Sequence, residues 1–478
     1  MLFNSIEFAI FLPIVFLLYW FVFGKNLKLQ NLFIVVVSYV FYGWWDWRFL
    51  GLLAFTSLFS YGSGLLIEKY RDTPRKAKTF NVLNIFVNLL ILGVFKYYDF
   101  FATTFANAFL GGKKEGLLLK VILPVGISFY TFKALSYSID VYRGKLEPTH
   151  DVIQYLAYVG FFPQLLAGPI ERATNLLPQL AKPRAFDYET GVDGMRQILW
   201  GLFKKMVIAD NCAVYVDRIF STYQTQNGST LLLAAVFFAF QIYGDFSGYS
   251  DMAIGVGKLF GFKTMRNFSF PYFSRDIAEF WRRWHISLTT WFRDYVYIPL
   301  GGSRCSKAKI VRNTFVIFLV SGLWHGANWT FIAWGAFHAV LFLPLILIGK
   351  NRRYKNTVAD GRLFPSLKEA GQMSLTFFLA TIGWIFFRAD SIRQAWDYIR
   401  HVCSVTLFSL PDVSGMSGFR SVALLIMLLT EWMLRDREHG LDLSVIKSEV
   451  VRIVAYLTVL IMIFALGGHT VSFIYFQF

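Results

Sequence analysis

The stretch VRNTFVIFLVSGLWHGANWTFIAWGAFHAVLFLPLILI, residues 311–348, is almost entirely apolar but has a polar centre. A helix needs about 20 apolar residues to cross the hydrocarbon core of a bilayer, so this block accommodates two short passes or one broken helix. Its centre reads SGLWHGANW, where Gly322 and Gly326 flank His325. An ionisable side chain at such depth is costly in lipid, and we therefore expect His325 to line a pocket.

Apolar blocks of comparable length recur along the whole chain, and only 16% of the residues are charged while 56% are hydrophobic. This composition predicts an all-α, polytopic integral membrane protein with about 11–13 membrane segments. We expect one membrane domain, residues 1–478, with a core that carries the polar motifs at 117–345 and peripheral helices at 1–110 and 371–478. The further apolar blocks lie at 7–23, 30–47, 49–67, 80–98, 117–140, 152–168, 195–217, 229–259, 371–388, 419–434 and 451–468.

Basic residues exceed acidic ones, 47 Lys and Arg against 30 Asp and Glu, which gives a net charge of +17. Cytoplasmic loops of membrane proteins are enriched in Lys and Arg, and this topology signal accounts for most of the excess. Binding of an anionic donor or of lipid head groups is the alternative for part of it. Because the basic residues are scattered between apolar blocks, we do not expect a nucleic-acid partner.

The distribution of the basic residues predicts an orientation in the membrane. The loops at 68–79 and 349–368 are rich in Lys and Arg and are predicted to be cytoplasmic. Residues 1–6 and 470–478 contain neither, which predicts that both termini lie outside. The first apolar block lacks the basic region and cleavage site of a secretory signal, so we expect it to remain as a span.

Three cysteines, Cys212, Cys305 and Cys403, lie in unrelated contexts. Their spacing predicts neither a disulfide framework nor a metal site.

Polar residues interrupt two further apolar blocks. In FPQLLAGPIER, residues 162–172, two prolines and a glycine precede a Glu-Arg pair, which indicates a bent or re-entrant element or else a simple helix end with a turn. In QIYGDFSGYSDMAIGVG, residues 241–257, the polar side chains Asp245, Tyr249 and Asp251 either make structural hydrogen bonds or line a reaction cavity. Two glycines four residues apart in the same stretch favour close helix packing.

The stretch SRDIAEFWRRWHISLTTWFRD, residues 274–294, alternates charged and aromatic residues with a helical period. We predict one amphipathic helix here, which lies at the membrane interface or is surrounded by other spans. A histidine on an aromatic face is more often a core residue than a catalyst, so both roles stay open for His285 at this point. The predicted aromatic stripe consists of Trp281, Trp284, His285, Leu288 and Phe292.

Several side chains near His325 are candidates for the walls of its pocket. The indoles of Trp324 and Trp329 can enclose the site, and the amide of Asn328 can orient a bound group. His338 follows 13 residues later, about 220° round a continuous helix, and we expect it to be structural.

Five motifs in order, FFPQLLAGPIERA, YGDFSGYSDMAIG, FWRRWHISLTTWFRDYVYIPLGG, SGLWHGANWTFIAWG and GWIFFRA, resemble the membrane-bound O-acyltransferase family. The similarity is to the bacterial branch of alginate O-acetylation and teichoic acid D-alanylation, and the opening MLFNSIEF and closing FIYFQF extend it to both ends. The resemblance implies tilted helices around a central funnel, His325 as the family's invariant histidine and His285 as its upstream active-site histidine. Lys133 departs from the pattern, since an uncharged polar residue is expected there.

The resemblance implies acyl transfer from a cytoplasmic thioester to a hydroxyl, with His325 as general base. His285 then positions or polarises the thioester carbonyl or helps to hold the acceptor. Arg282, Arg283 and Arg304 are candidates for the donor phosphates, with plain topology charge as the alternative. No nucleophile paired with a base is apparent, so we favour direct transfer over a covalent acyl-enzyme. We expect no bound cofactor, because acyl-CoA or an acyl-carrier thioester enters as a substrate.

Among acyl transfers, acetylation of an exported or cell-surface polysaccharide is favoured, aided by a separate extracytoplasmic acetyltransferase. D-Alanyl transfer from a carrier protein to a teichoic acid-type polymer is the second possibility. A transporter or flippase is the alternative from another class, but the sequence shows no inverted repeats. The expected location is the bacterial inner membrane, with lipid around the spans.

Overall fold

The computed structural model describes residues 1–112, 116–416, 418–468 and 471–474. Of the two terminal stretches 1–6 and 470–478, residues 470 and 475–478 lie outside this part, including most of the closing FIYFQF. The α-helices are α1 Ile6–Leu17, α2 Leu27–Gly43, α3 Leu50–Lys69, α4 Pro74–Leu92, α5 Tyr98–Phe109, α6 Ile127–Tyr142, α7 Val152–Gly160, α8 Phe162–Leu165, α9 Ala173–Leu180, α10 Tyr188–Leu202, α11 Asp210–Ser221, α12 Gly228–Leu259, α13 Ile277–Arg283, α14 Ile286–Phe292, α15 Lys307–His325, α16 Trp329–Leu347, α17 Leu367–Arg388, α18 Ile392–Val402, α19 Phe419–Met433 and α20 Glu449–Leu466.

Long apolar helices dominate the described residues, in which no β-strand occurs, and the all-α prediction is confirmed. Within the described ranges, six helices are long and apolar enough to cross a membrane, and two shorter apolar helices precede them, so the chain is a multi-pass membrane protein. The finer count of 11–13 segments stays a prediction, as does the single domain. The six long spans are Trp47–Lys69, Pro74–Phe109, Gly228–Leu259, Trp329–Leu347, Leu367–Arg388 and Glu449–Leu466.

The chain divides into two compact units, and the first comprises Met1–Met195 and Ala253–Met265. Helices α3, α4 and α6 pack together there around a chain of buried polar side chains. Asn84 accepts from Ser60 at 2.9 Å and donates to Ser138 at 2.7 Å. Hydrogen bonds of this kind between membrane helices contribute about 0.6 kcal/mol each and fix which faces meet.

The predicted bend at 162–172 is a short helix, α8, followed by irregular and fully buried backbone. Irregular backbone is tolerated at membrane depth only where protein covers it, so the burial favours the re-entrant interpretation. Lys133, the residue that departs from the family pattern, is itself buried and donates to the carbonyls of Tyr158 and Val159 at 3.4 Å each. The expected helix over 117–140 begins only at Ile127, because Gly126 adopts a left-handed conformation with φ of 76°.

The second unit comprises Arg196–Met252 and Arg266–Phe478. The block at 311–348 folds as two helices, α15 and α16, which pack side by side as a hairpin and favour two short passes over one broken helix. Glycines let the two helices touch, since an added Cβ on Gly322 would meet the carbonyl oxygen of Phe331 at 2.2 Å. In the same unit, an added Cβ on Gly248 of α12 would meet the carbonyl oxygen of Gly201 at 2.7 Å, the close approach that the glycine spacing predicted.

Candidate active site

His325 is the last residue of α15, and the sequence after it turns the chain sharply into α16. Gly326 is extended, and a Cβ there would collide with the ring of Phe331 at 2.1 Å. Asn328 begins α16 by accepting from the backbone N–H of Thr330 at 3.1 Å. His325 therefore lies at the carbonyl end of a helix, where the helix dipole favours a cationic imidazole.

His285 lies at a break between two short helices, so the prediction of one amphipathic helix over 274–294 is wrong. Its φ is 43°, a left-handed conformation that ends α13 and starts α14. The cause is Asn267, whose carbonyl accepts from the N–H of Ile286 at 2.9 Å and whose side chain accepts from Ser287 at 2.8 Å. These bonds replace those that a continuous helix would make.

The two imidazoles lie next to each other inside the second unit. Their ring centroids are 6.3 Å apart, and His285 and His325 are only 1% and 3% exposed. The indole of Trp324 contacts both, with centroid distances of 5.6 and 5.0 Å. Trp334 and Phe387 lie edge-on to His325 at 5.0 and 5.4 Å. The rings thus hold each imidazole in one orientation within an apolar surrounding.

A cavity of about 420 Å³ lies beside the histidines. Its lining includes Ile286, which follows His285 in the chain, and Ser321, one helical turn before His325. Neither imidazole is among the lining residues. The walls are mostly apolar, and the cationic side chains in the lining are Arg282, Arg293 and Arg352.

The three arginines predicted to meet donor phosphates have different environments. Arg282 lines the cavity and donates to the carbonyls of Asn351 and Tyr354 at 2.5 and 2.6 Å. Arg283 is paired with buried Glu279 at 2.9 Å. Arg304 is exposed and is not among the cavity residues. Of the predicted set, the structure therefore places only Arg282 at the cavity.

Asp245 and Asp251 are paired with two lysines that were not among the predicted site residues. Lys204 contacts Asp251 at 2.6 Å, and Lys205 contacts Asp245 at 2.7 Å. The ring of Tyr249 lies 5.8 Å from the Lys205 ammonium. These contacts favour the structural alternative for both carboxylates. Two adjacent lysines within the apolar block 195–217 were the available signal, because buried lysines require partners.

The remaining predicted residues, Asn328, Trp329 and His338, lie in the hairpin of α15 and α16. Asn328 donates to the carbonyl of Asp390 at 3.2 Å and thus fixes the turn rather than facing the imidazoles. Trp329 is 47% exposed and does not enclose the site. His338 is fully buried, and its ring lies 5.0 Å from those of Trp281 and Trp334. Its structural role stays a prediction.

Gly322→Ala is expected to disrupt the hairpin that presents His325. The new methyl would overlap the carbonyl oxygen of Phe331, and overpacking of this kind costs about 1–3 kcal/mol or more. The melting temperature in detergent measures the loss. Gly371→Ala is the matched control, because its Cβ has nothing within 4 Å. Equal melting temperatures for the two variants would contradict this tight packing of α15 against α16.

Apolar helices around a buried pair of histidines define a multi-pass membrane protein with a buried histidine site. The model of the membrane-bound O-acyltransferase family matches residues 41–387 of the chain. The "Probable alginate O-acetylase AlgI" of Pseudomonas aeruginosa is 40% identical over 433 residues, which cover 90% of this chain and 80% of that protein. The chain therefore belongs to the membrane-bound O-acyltransferase family and is an O-acyltransferase.

Two more distant relatives act on other polymers. The peptidoglycan O-acetyltransferase of Helicobacter pylori is 34% identical over 443 residues, with 87% of this chain and 82% of that protein covered. The teichoic acid D-alanyltransferase of Bacillus subtilis is 30% identical over 246 residues, with 48% and 61% covered.

Proposed function

We propose that this protein transfers an acetyl group from a thioester donor to a hydroxyl of an exported or cell-surface polysaccharide, at His325 and His285. The observation that carries the proposal is the pair of buried imidazoles, 6.3 Å apart, in a chain of this family. Acetyl is preferred to D-alanyl because the alginate and peptidoglycan O-acetylating relatives align over most of the chain, whereas the D-alanyltransferase aligns over about half of it.

In this mechanism, His325 takes the proton of the acceptor hydroxyl while the hydroxyl oxygen attacks the thioester carbonyl carbon. The carbon–sulfur bond breaks, and the imidazolium returns the proton to the thiolate that leaves. The carbonyl end of α15 stabilises the imidazolium in between. His285 polarises the thioester carbonyl from the neighbouring position. No covalent acyl-enzyme is needed, because the hydroxyl attacks the donor directly.

The donor arm occupies the cavity beside the histidines. A pantetheine chain is long, thin and mostly uncharged, which fits apolar walls, and its phosphates need cations at one end. Arg293 and Arg352 have exposed side chains and supply that charge. Arg282 instead holds the loop of residues 351–354 beside the cavity through its two carbonyl contacts.

The acceptor and the topology complete the proposal. The relatives that align over most of the chain are named for alginate and peptidoglycan, which supports a polysaccharide acceptor. We place the protein in the bacterial inner membrane with both termini outside and the basic loop at 349–368 on the cytoplasmic side. The thioester then enters from the cytoplasm, and the acceptor hydroxyl belongs either to the polysaccharide itself or to an extracytoplasmic acetyltransferase that passes the acetyl group on.

The test uses the purified protein in lipid nanodiscs with labelled acetyl-CoA and alginate oligosaccharides, in parallel with D-alanyl-carrier thioester. We expect thiol release from acetyl-CoA and alkali-labile label on the oligosaccharide, with or without an added polysaccharide acetyltransferase from the same genome. Consumption of the D-alanyl thioester alone would favour the second possibility. Solute flux in proteoliposomes without any donor would favour a transporter instead.

A further inference from the structure

A short stretch of residues 471–474, here called the anchored segment, is held inside the second unit by buried charges. Lys205 is 1% exposed and lies 2.7 Å from both Asp210 and Asp245. The same ammonium donates to the carbonyl of the segment's first residue at 2.8 Å. The N–H of Ile474 donates to the second carboxylate oxygen of Asp245 at 2.6 Å. One cation and one carboxylate therefore bind the backbone at Val471 and at Ile474.

Such an arrangement is costly, and this cost indicates a role beyond stability. The free-energy cost of removing charged groups from water is offset only when the paired groups have close geometry. Apolar residues of similar size often stabilise a protein equally well. Here the charged side chains of Lys205 and Asp245 bind backbone groups of residues 471–474, which belong to no α-helix. The cluster specifies where the segment lies.

The anchored segment places one aromatic ring behind the histidine site. Phe473 is fully buried and contacts the ring of Tyr249 at 4.4 Å and that of Phe246 at 6.1 Å. Phe246 in turn lies edge-on to His285, with the ring centroids 4.5 Å apart. A continuous line of aromatic contacts thus joins the segment to an imidazole of the site.

We propose that the anchored segment is a fixed wall of the histidine site and that Phe473 is a positioning residue, which acts through Phe246 on His285. This inference rests on the proposed acyl transfer. His285 has a left-handed backbone at a helix break, so its ring depends on its neighbours for orientation. A displacement of about 1 Å at a reacting centre can cost about 100-fold in rate. The buried charges around Lys205 hold the anchored segment, and with it Phe473, in this position.

Phe473→Ala tests the positioning role. We expect a fall in kcat for acetyl-CoA consumption of about 10-fold to 100-fold, with KM for acetyl-CoA unchanged within about twofold, since the donor cavity is untouched. Phe473→Leu restores most of the bulk and is expected to recover most of the activity. Phe464→Ala is the matched control, because this phenylalanine of α20 is 81% exposed. Monodisperse elution and a cooperative melting transition above the assay temperature show that each variant is folded, although the loss of the buried ring lowers the melting temperature of Phe473→Ala.

Hydrogen exchange tests the anchor independently of activity. The Ile474 amide is expected to be protected in the wild-type protein and to exchange faster in Asp245→Ala. A folded Phe473→Ala protein with wild-type kcat, or one changed only in KM, would overturn the positioning role, and rapid exchange of the wild-type Ile474 amide would overturn the anchor. If the wild type releases no thiol from acetyl-CoA, the proposed function fails, while the exchange experiment still reports on the segment.

Discussion

His325→Ala is expected to lower kcat for thiol release from acetyl-CoA by about 10²–10⁴-fold, the usual contribution of a positioned general base. An acceptor hydroxyl is a weak nucleophile until its proton is removed, and alanine offers no group to take that proton. The substitution leaves the cavity lining intact, because His325 is not part of it. KM for acetyl-CoA is therefore expected to change little.

The control for this variant is His150→Ala, whose side chain is 73% exposed and lies in the first unit. It removes an imidazole of the same size without touching the buried site. The comparison uses initial rates in nanodiscs, with melting temperatures to confirm folding. Wild-type turnover in folded His325→Ala would show that His325 takes no part in the chemistry.

His285→Ala is expected to have a smaller effect on kcat, because polarising the carbonyl assists the attack but transfers no proton.

The hairpin that carries His325 was predictable because its signals are local. Apolarity over 311–348 sets the two helices, and glycines flanking the histidine allow them to touch. The position of His285 was not predictable in the same way. A 3.6-residue period describes 274–294 well, yet the chain breaks there because Asn267, well before that stretch, captures two donors of α14. A tertiary contact therefore overrides a local pattern.

The partners of the buried carboxylates could not be predicted from the local sequence either. Asp245 and Asp251 were visible as charges in an apolar block, which predicts a special environment but no partner. Lys204 and Lys205 are adjacent in the chain, and each meets a different one of these carboxylates. The backbone of residues 471–474 takes part as well, which no periodicity in either stretch encodes.

The second large effect, on KM for acetyl-CoA, is expected from a substitution in the loop of residues 350–355. It contains four exposed cations, and Arg352 among them lines the cavity. Arg282 faces the same cavity but uses its guanidinium to bind two backbone carbonyls of this loop. We therefore propose separate tasks for the two arginines: Arg352 meets the donor's phosphates, and Arg282 keeps the loop in place.

Arg352→Glu is expected to raise KM for acetyl-CoA at least about tenfold, which corresponds to about 1.4 kcal/mol of binding, while kcat stays near the wild-type value. The reason is repulsion between the new carboxylate and the phosphates, so the effect is expected to shrink as salt is added. Arg393→Glu in α18 makes the same change in net charge on a side chain that is 93% exposed and absent from the cavity lining. A similar rise in KM for that control would mean that overall charge, rather than the mouth of the cavity, governs donor binding.

Arg282→Lys keeps the charge but cannot bind both carbonyls with one planar guanidinium. It is expected to raise KM as well, and a wild-type KM in this variant would show that the loop needs no such hold.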